Sequence, residues 1–248
     1  IEQILLAQKP HAVLVYGDTN STLAAAVAAS KLHFPLIHVE AGLRSFNKKM
    51  PEEINRIMCD HASTLLFTPT KAGLHNLWSE GFSPEAKAPY TMNNPGVFHC
   101  GDVMYDNSLY YSELAAQKSK ILHKHNLCEN GFVLVTIHRD HNTDNPDRLT
   151  DIFETLLQLS GSWKGKFFVP LHPRTSKILT SSLPDLYEKI FLSENILLSE
   201  PVSFFDMILL EENAEMIITD SGGVQKEAYF FKKPDFQHAF EIPVFFSK

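Results

Sequence analysis

Short apolar runs alternate with helical segments along nearly the whole chain, and this alternation constrains the fold more than any other feature. Strands are predicted at residues 12–16, 35–39, 64–67, 96–100, 132–137, 166–171, 195–198 and 215–219. Helices are predicted at residues 22–32, 51–62, 71–80, 106–125, 144–159 and 203–212, and a last helix begins at Val224. Strands that alternate with helices form parallel sheets of βαβ units. We therefore predict an α/β protein with two doubly wound, Rossmann-like parallel sheets, in an N-terminal domain of residues 1–104 and a C-terminal domain of residues 105–248.

The charge and apolar pattern of the 248-residue chain argue against several functional classes. Its 22 Lys and Arg residues against 29 Asp and Glu residues give a net charge of -7, whereas nucleic acids and membrane surfaces bind basic proteins. No apolar run is long enough to span a bilayer, and no signal peptide is visible. Cys59, Cys100 and Cys128 lie far apart without metal-ligand spacing. We predict a cytoplasmic protein without nucleic-acid or membrane partners.

Polar side chains come directly after several predicted strands, at the sheet edge where α/β proteins bind ligands. They are Asp18, Glu40, His138, His172 and Ser221. Glu52 and Arg56 lie in the helix that Pro51 begins, and their spacing of four residues puts them on one helix face. Because strand ends otherwise accept any turn residue, so many polar groups together indicate a functional edge.

Each of these residues also has a purely structural interpretation. Asp18 is able to cap the following helix, and Glu52 and Arg56 fit an ordinary ion pair on a solvated helix face. His138 fits a hydrogen-bonded core histidine. Glu40 is harder to explain in this way, because a carboxylate after buried apolar residues is disfavoured by desolvation unless it is paired or used.

The turn Ser221-Gly222-Gly223 joins a predicted strand to a predicted helix and has the form of a phosphate or ribose cradle. Glycine lets backbone N–H groups approach an anion at the positive end of a helix. A Ser-Gly-Gly turn by itself is a weak signal. Together with the acidic strand ends it indicates a ligand site more strongly.

Metal binding is disfavoured by the spacing of the candidate ligands. His138, Asp140 and His141 lie at a strand end with His172 downstream, and no cysteine or third carboxylate joins them at a recognised spacing. A nucleophilic Ser or Cys mechanism is disfavoured because the chain lacks a nucleophile-elbow motif.

Five segments carry a family resemblance, which extends from about Pro10 to Pro234. They are Gly17-Asp18-Thr19, His38-Val39-Glu40-Ala41-Gly42-Leu43-Arg44, Pro51-Glu52-Glu53-Ile54-Asn55-Arg56, Thr136-Ile137-His138-Arg139 and Thr219-Asp220-Ser221-Gly222-Gly223-Val224-Gln225-Lys226-Glu227. In this order they resemble the non-hydrolysing UDP-N-acetylglucosamine 2-epimerases. The resemblance implies a GT-B arrangement, with two Rossmann-like domains and a UDP-sugar in the cleft between them.

The implied activity is the interconversion of UDP-N-acetylglucosamine (UDP-GlcNAc) and UDP-N-acetylmannosamine (UDP-ManNAc), for bacterial surface polysaccharide precursors. UDP leaves by anti elimination to give 2-acetamidoglucal, and re-addition delivers the proton to the other face of C2. By their motifs, the catalytic residues are the carboxylates Asp18, Glu40 and Glu52 with the charge-stabilising Arg56 and His138, and the substrate-binding residues are Ser221, Gly222, Gly223 and Glu227. The resemblance implies no metal, no other cofactor and a homodimer.

Three departures from the family pattern limit the expected activity. The chain starts after the family's first strand and its Gly-Thr-Arg-Pro-Glu-like turn, and the apolar pieces of Asp235–Lys248 match no family motif and have no obvious partner. His141 replaces the glutamate of the family's His-Arg-x-Glu-Asn. We therefore expect a fragment with both domains incomplete, weakly active or inactive by itself.

Four alternative functions stay open. The loop with Lys48 and Lys49 is similar to that of relatives that act on UDP-2,3-diacetamido-glucuronate. A GT-B glycosyltransferase would share the fold and the UDP-binding turn, and a hydrolysing epimerase would release free ManNAc and UDP. An inactive fragment would bind the nucleotide sugar without exchanging the hydrogen at C2.

Overall fold

The computed structural model describes residues 1–137 and 139–237, which form two compact units. The first unit is Ile1–Val103 and the second begins at Met104. The first contains α1 (Glu2–Gln8), β1 (Val13–Tyr16), α2 (Asn20–Lys31), β2 (Leu36–Val39), α3 (Pro51–Ala62), β3 (Leu65–Thr68), α4 (Lys71–Ser79) and β4 (Gly96–His99). There follow α5 (Val103–Lys118), α6 (Ile121–Lys124), β5 (Phe132–Thr136), α7 (Asp140–Thr143), α8 (Pro146–Ser162), β6 (Lys166–Pro170), α9 (Pro173–Ser182), α10 (Pro184–Phe191), β7 (Ile196–Ser199), α11 (Phe204–Asn213), β8 (Met216–Thr219), α12 (Gly222–Phe230) and β9 (Asp235–Gln237).

The first unit is built on a four-stranded parallel sheet in which the strands follow chain order, β1-β2-β3-β4. Ala26 and Ala29 of α2 are fully buried and pack with Leu36 of β2 and Cys59 of α3. Small side chains let helices approach closely, so α2 and α3 lie against each other. This packing brings the start of α3 to the end of β1.

The loop after β2 lies very close to the start of α4. Gly42 has a φ of +79°, and a Cβ at this position would overlap the carbonyl oxygen of Gly73. A Cβ on Gly73 would in turn overlap the hydroxyl oxygen of Thr68. Both positions require glycine because no side chain fits there. The close approach fixes the loop that carries the strand-end residue Glu40.

The second unit is built on a five-stranded parallel sheet with the order β7-β6-β5-β8-β9. Its central strand β5 is buried on both faces: Val133 packs in one cluster with Phe153 of α8, and Leu134 packs in the other with Leu210 of α11. The strand order changes direction between β5 and β8. Ligands bind at such a switch point in α/β sheets, so the segments after β5 and β8 border the expected crevice.

Predicted and observed elements agree in type and differ mainly at their ends. The single helix predicted at residues 106–125 is two helices, α5 and α6. Ser119 lies between them, and its hydroxyl accepts a hydrogen bond from the N–H of Ile121, which competes with the regular helix bonds. The proline-rich stretch after β6, where no helix was predicted, forms α9 and α10, and each begins at a proline, Pro173 and Pro184.

The segment that was expected to lack a structural partner begins with a strand. Asp235–Gln237 forms β9 and pairs in parallel with β8, so this expectation is wrong for its first three residues. The remaining residues, 238–248, lie outside the described part of the chain. No helix among the described residues is both long and apolar enough to cross a membrane.

Candidate functional site

Asp18 follows β1, and its carboxylate binds Arg56 of α3: Asp18 Oδ2 lies 2.6 Å from Arg56 Nη2. The helix cap is the neighbouring Thr19, whose hydroxyl accepts a hydrogen bond from the backbone N–H of Thr22. The interpretation of Asp18 as a cap is therefore wrong. Asn55 donates to the backbone carbonyl oxygen of Asp18 at 2.8 Å. Helix α3 thus holds both the backbone and the side chain of Asp18.

Arg56 also contacts Glu53, with 3.1 Å between Arg56 Nη1 and Glu53 Oε2. Its ion pairs among the described residues are those with Asp18 and Glu53, so the proposed surface pair of Arg56 with Glu52 is wrong. Glu52 itself lies exposed in the first turn of α3. Sequence reasoning missed Glu53, although its spacing of three residues from Arg56 was an available signal.

Glu53 anchors the loop between β2 and α3. Its side chain is almost fully buried and accepts hydrogen bonds from the backbone N–H groups of Ser45 and Phe46 at 2.8 and 2.9 Å. Burial raises the pKa of Glu53, but these bonds and the one from Arg56 outweigh burial, so the pKa is lowered. The ionised carboxylate is the form that holds the loop.

His38 and Asp60 connect the ends of β1 and β2 with α3. Both are fully buried, and His38 Nδ1 lies 2.7 Å from Asp60 Oδ1 while His38 Nε2 lies 2.9 Å from the carbonyl oxygen of Gly17. Both ring nitrogens face acceptors, so each carries a proton and the ring is an imidazolium. Burial lowers the pKa of His38, but the hydrogen bond and charge of Asp60 outweigh it, so the pKa is raised.

The second oxygen of Asp60 fixes the loop after β2. Asp60 Oδ2 accepts from the backbone N–H of Gly42 at 3.0 Å and lies 2.8 Å from Arg44 Nη2. Arg44 binds the Glu80 carboxylate through Nε and Nη2, each at 2.7 Å, and its side chain is 1% exposed. The hydrogen bonds from Arg44 lower the pKa of Glu80. The Asp60 carboxylate therefore joins three segments of the first unit.

Glu40 directly follows β2 with a φ of 76°, a left-handed conformation that is uncommon for residues other than glycine. Its backbone N–H donates to the carbonyl oxygen of Phe67 at 3.0 Å. A Cβ on Gly17 would lie 3.3 Å from Glu40 Oε2, so this carboxylate lies against the Gly17-Asp18 turn. Strained backbone of this kind clusters at functional sites. The first unit thus brings together Asp18, Glu40 and Arg56.

In the second unit, Asp220 joins the segments that follow β5 and β8. Asp220 Oδ2 accepts from the backbone N–H of Arg139 and from the side-chain amide of Asn142, both at 3.0 Å. The hydroxyls of Thr136 and Thr219 are hydrogen-bonded at 2.6 Å just below. These bonds span the switch point of the sheet. Sequence reasoning did not assign a role to Asp220 or Asn142.

Ser221 is the N-cap of α12, and its hydroxyl accepts a hydrogen bond from the N–H of Val224. Among the described residues, a Cβ at Gly222 or Gly223 would meet no atom outside its own stretch of helix closer than 3.7 Å, and neither residue has a positive φ. The fold itself therefore does not require glycine at either position. Open space beside two helix-start N–H groups is what an anion needs. Glu227 lies four residues after Gly223, on the same face of α12.

Two of the four candidate metal ligands, Asp140 and His172, have other partners. Asp140 Oδ1 lies 2.8 Å from Arg174 Nη1, and His172 caps α9 by accepting the N–H of Arg174. Within residues 1–137 and 139–237, no group of three or more His, Cys, Asp or Glu side chains is arranged to hold a metal ion. His138, the remaining predicted catalytic residue, lies outside the described residues.

The two units define a Rossmann-like α/β protein with an acidic strand-end cluster in the first unit and an open glycine turn at a helix start in the second. The sequence profile of the family described as UDP-N-acetylglucosamine 2-epimerase matches residues 1–236. The chain belongs to this family. The predicted family is confirmed, and the match is slightly longer at both ends than the predicted resemblance.

Curated and solved relatives are similar over most of this chain. A UDP-N-acetylglucosamine 2-epimerase homolog of Methanococcus maripaludis is 48% identical over 235 residues, which are 94% of this chain and 61% of the relative. The UDP-2,3-diacetamido-2,3-dideoxy-D-glucuronate 2-epimerase of Pseudomonas aeruginosa is 46% identical, over 94% of this chain and 60% of the relative. The crystal structure of Methanocaldococcus jannaschii UDP-GlcNAc 2-epimerase in complex with UDP-GlcNAc and UDP has a TM-score of 0.78 and 39% identity, over 95% of this chain and 62% of that one.

The predicted fold class, two Rossmann-like parallel-sheet domains of the GT-B type, is confirmed by this similarity and by the two sheets. The chain spans about three fifths of the length of these relatives.

Replacing Asp60 by Asn should destabilise the first unit strongly. The substitution leaves the buried cations of His38 and Arg44 without their shared carboxylate, and breaking a buried ion pair from one side costs about 3–5 kcal/mol. The free energy of unfolding from urea titration measures the loss. Glu85→Gln, which removes an exposed carboxylate of the same unit, is the control, and we expect a change within about 0.5 kcal/mol. A loss below about 1 kcal/mol for Asp60→Asn would contradict the central role of this carboxylate.

Glu53→Gln should change how the stability depends on acid. Because the pKa of Glu53 is lowered from 4.5, its contribution is fully present above pH 4.5 and is lost as the pH falls through the folded-state pKa. The variant should be less stable by about 1–3 kcal/mol at neutral pH, since the N–H groups of Ser45 and Phe46 lose an ionised acceptor. It should also lose less stability than the unchanged protein on acidification.

Urea titrations at several pH values between about 3 and 7 test this expectation. Glu52→Gln is the matched control, because it removes the neighbouring but exposed carboxylate of the same helix turn. Parallel acid profiles for the unchanged protein and Glu53→Gln would show that the expectation is wrong.

Proposed function

We propose that this chain is part of a non-hydrolysing UDP-GlcNAc 2-epimerase, an isomerase that interconverts UDP-GlcNAc and UDP-ManNAc. The observation that carries the proposal is the cluster of Asp18, Glu40 and Arg56 at the strand ends of the first unit, where the Asp18 carboxylate is held at 2.6 Å from Arg56. Family membership and the UDP-GlcNAc named in solved relatives support the choice of substrate.

Epimerisation requires carboxylates that remove and return a proton at C2, whose hydrogen is not acidic. Glu40 and Asp18 supply such groups from neighbouring strand ends, and Glu52 is a third carboxylate at the start of α3. Arg56 orients the Asp18 carboxylate through its short ion pair. His138, by its motif, is assigned to charge stabilisation.

The second unit supplies groups suited to the leaving UDP. The open N–H groups at Gly222 and Gly223 and the positive end of α12 favour the diphosphate. Ser221 shapes this turn as the N-cap of the helix. Glu227, as a carboxylate, is suited to accept hydrogen bonds from the two ribose hydroxyls. Departure of UDP from C1 would be assisted by these donors, with no metal or other cofactor in the proposed route.

Two further features belong to the proposal. The full protein is proposed to form a homodimer, as the family resemblance implies, and to act in the cytoplasm, as the cysteine pattern of the sequence predicts. Size-exclusion chromatography with light scattering would decide the first, and cell fractionation the second.

Solvent-deuterium exchange tests the reaction. In D₂O the full protein should place deuterium at C2 of UDP-GlcNAc and form UDP-ManNAc, both visible by NMR, whereas the 248-residue chain alone is expected to do so weakly or not at all. Glu40→Gln should lower the exchange rate at least about 100-fold because Gln cannot transfer the proton, whereas the exposed Glu85→Gln should leave the rate unchanged. Sugar transfer without exchange would instead indicate a glycosyltransferase, release of free ManNAc a hydrolysing epimerase, and UDP binding without exchange a non-catalytic chain.

A second candidate substrate is UDP-2,3-diacetamido-2,3-dideoxy-D-glucuronate, on which the Pseudomonas aeruginosa relative is named to act. A cavity of about 590 Å³ in the first unit has Lys48 on its wall. Arg44, which also lines it, already shares its charge with Asp60 and Glu80. Lys48 is therefore suited to bind the C6 carboxylate that distinguishes this sugar.

Lys48→Ala should affect the turnover of the two candidate substrates differently. If the glucuronate is the substrate, loss of the ammonium group should lower kcat/KM for it about tenfold, and turnover of UDP-GlcNAc should change little. Lys49→Ala is the control, because Lys49 is the neighbouring exposed lysine and does not line the cavity. Equal changes for both sugars would rule out this role of Lys48.

A further inference from the structure

Glu211 of α11 is an acidic side chain that the proposed reaction leaves unused. It is 0% exposed, and neither of its carboxyl oxygens, taken as ionised, has a hydrogen-bond donor within the described part of the chain. A buried carboxylate without donors is strongly disfavoured. Glu211 must therefore carry a proton, or share one with a neighbour.

That neighbour is Glu227 of α12, the helix against which α11 packs. A side-chain hydrogen bond between the two carboxyl groups acts on the pKa of both. Two ionised carboxylates cannot form one, because neither has a proton to donate. One of the pair is therefore protonated. Burial, and then the charge of Glu227, raises the pKa of Glu211 to about 9, so Glu211 is the protonated partner at neutral pH. Burial raises the pKa of Glu227 as well, and the hydrogen bond from Glu211 opposes that rise.

Glu227 is the titratable group that acts on this proton from the helices packed against α11. The helices packed most closely against α11 are α6 and α12. Their titratable side chains are His123, Lys124, Lys226, Glu227 and Tyr229. Of these, Glu227 is the one whose charge changes the pKa of Glu211.

We propose that protonated Glu211 is a positioning residue that donates its carboxyl proton to a hydrogen bond with Glu227 and holds that carboxylate ionised for the ribose hydroxyls of the nucleotide. The inference rests on the proposed function, which assigns the ribose to Glu227. Side chains on a helix lean toward its start, so Glu227 leans toward the open Gly222-Gly223 turn. A carboxylic acid kept neutral by its surroundings is a good hydrogen-bond donor.

Two substitutions separate donation of a hydrogen bond from simple packing. Glu211→Gln keeps a donor toward Glu227, and we expect the Kd for UDP to stay within about twofold. Glu211→Met has a similar volume without a donor, so Glu227 keeps its own proton and UDP should bind about tenfold more weakly at neutral pH. Isothermal titration calorimetry on the 248-residue chain measures both. Glu212→Met, at the next position of α11, is the matched control and should bind UDP normally.

Two readouts respond to positioning but not to a general loss of structure. 2′,3′-Dideoxy-UDP lacks the hydroxyls assigned to Glu227, so its affinity should be the same in Glu211→Met and in the unchanged protein. The affinity of Glu211→Met for UDP should rise with pH as Glu227 ionises. In the unchanged protein it should depend less on pH over the same range, because the hydrogen bond from Glu211 opposes the rise in the pKa of Glu227.

A carboxyl-carbon NMR titration of the unchanged protein tests the shared proton without any variant or ligand. One carboxyl group of the pair should stay protonated up to about pH 9. Titration of both groups below about pH 6, or equal UDP affinity of Glu211→Met and Glu211→Gln, would overturn the inference. Failure of the unchanged protein to bind UDP would instead refute the proposed function, and the ribose role of Glu211 with it, while the titration would still decide the shared proton.

Discussion

The ion pairs and hydrogen bonds of the buried Asp60 carboxylate are the interactions on which the geometry of the first unit depends. The carboxylate binds the imidazolium of His38, the guanidinium of Arg44 and the backbone N–H of Gly42. His38 in turn holds the carbonyl oxygen of Gly17. Charge-assisted hydrogen bonds are the strongest that side chains make, and here they all meet beneath two strand ends. The positions of Asp18 and Glu40 follow from this network, although Asp60 itself lies below the sheet edge.

In the second unit, too, a carboxylate holds the segments after two strands together, but it accepts from a different set of donors. Asp220 joins the segment after β5 to the segment after β8 by accepting from the N–H of Arg139 and the amide of Asn142. In both units a carboxylate replaces the regular ladder bonds that end with the strands. Loops fixed in this way lose little freedom when a ligand binds, which favours tight and oriented binding.

Two buried glutamates show how donors decide the protonation state. Glu53 receives hydrogen bonds from two backbone N–H groups and from Arg56, which lower its pKa despite burial. Glu211 receives none of this kind from residues 1–137 and 139–237 and interacts with another carboxyl group, so burial raises its pKa to about 9. Both side chains are almost unexposed to solvent. Glu211 lies deeper and without donors, whereas the donors around Glu53 outweigh its burial, so the fold turns one glutamate into an anion and the other into a neutral acid.

The sequence by itself determined the fold class, the family and the strand-end positions of Asp18, Glu40 and Ser221, because periodicity and motifs are local properties of the chain. Tertiary structure decided which groups these residues meet. Arg56 forms ion pairs with Asp18 and Glu53 rather than with Glu52, and Thr19 is the N-cap of α2. Both outcomes depend on how α3 packs against the end of β1. The partners His38 and Asp60 are 22 residues apart, and Asp220 and Asn142 are 78 apart. No pattern within a single helix or strand predicts these pairings, because they depend on which residues the folded chain brings close together and buries.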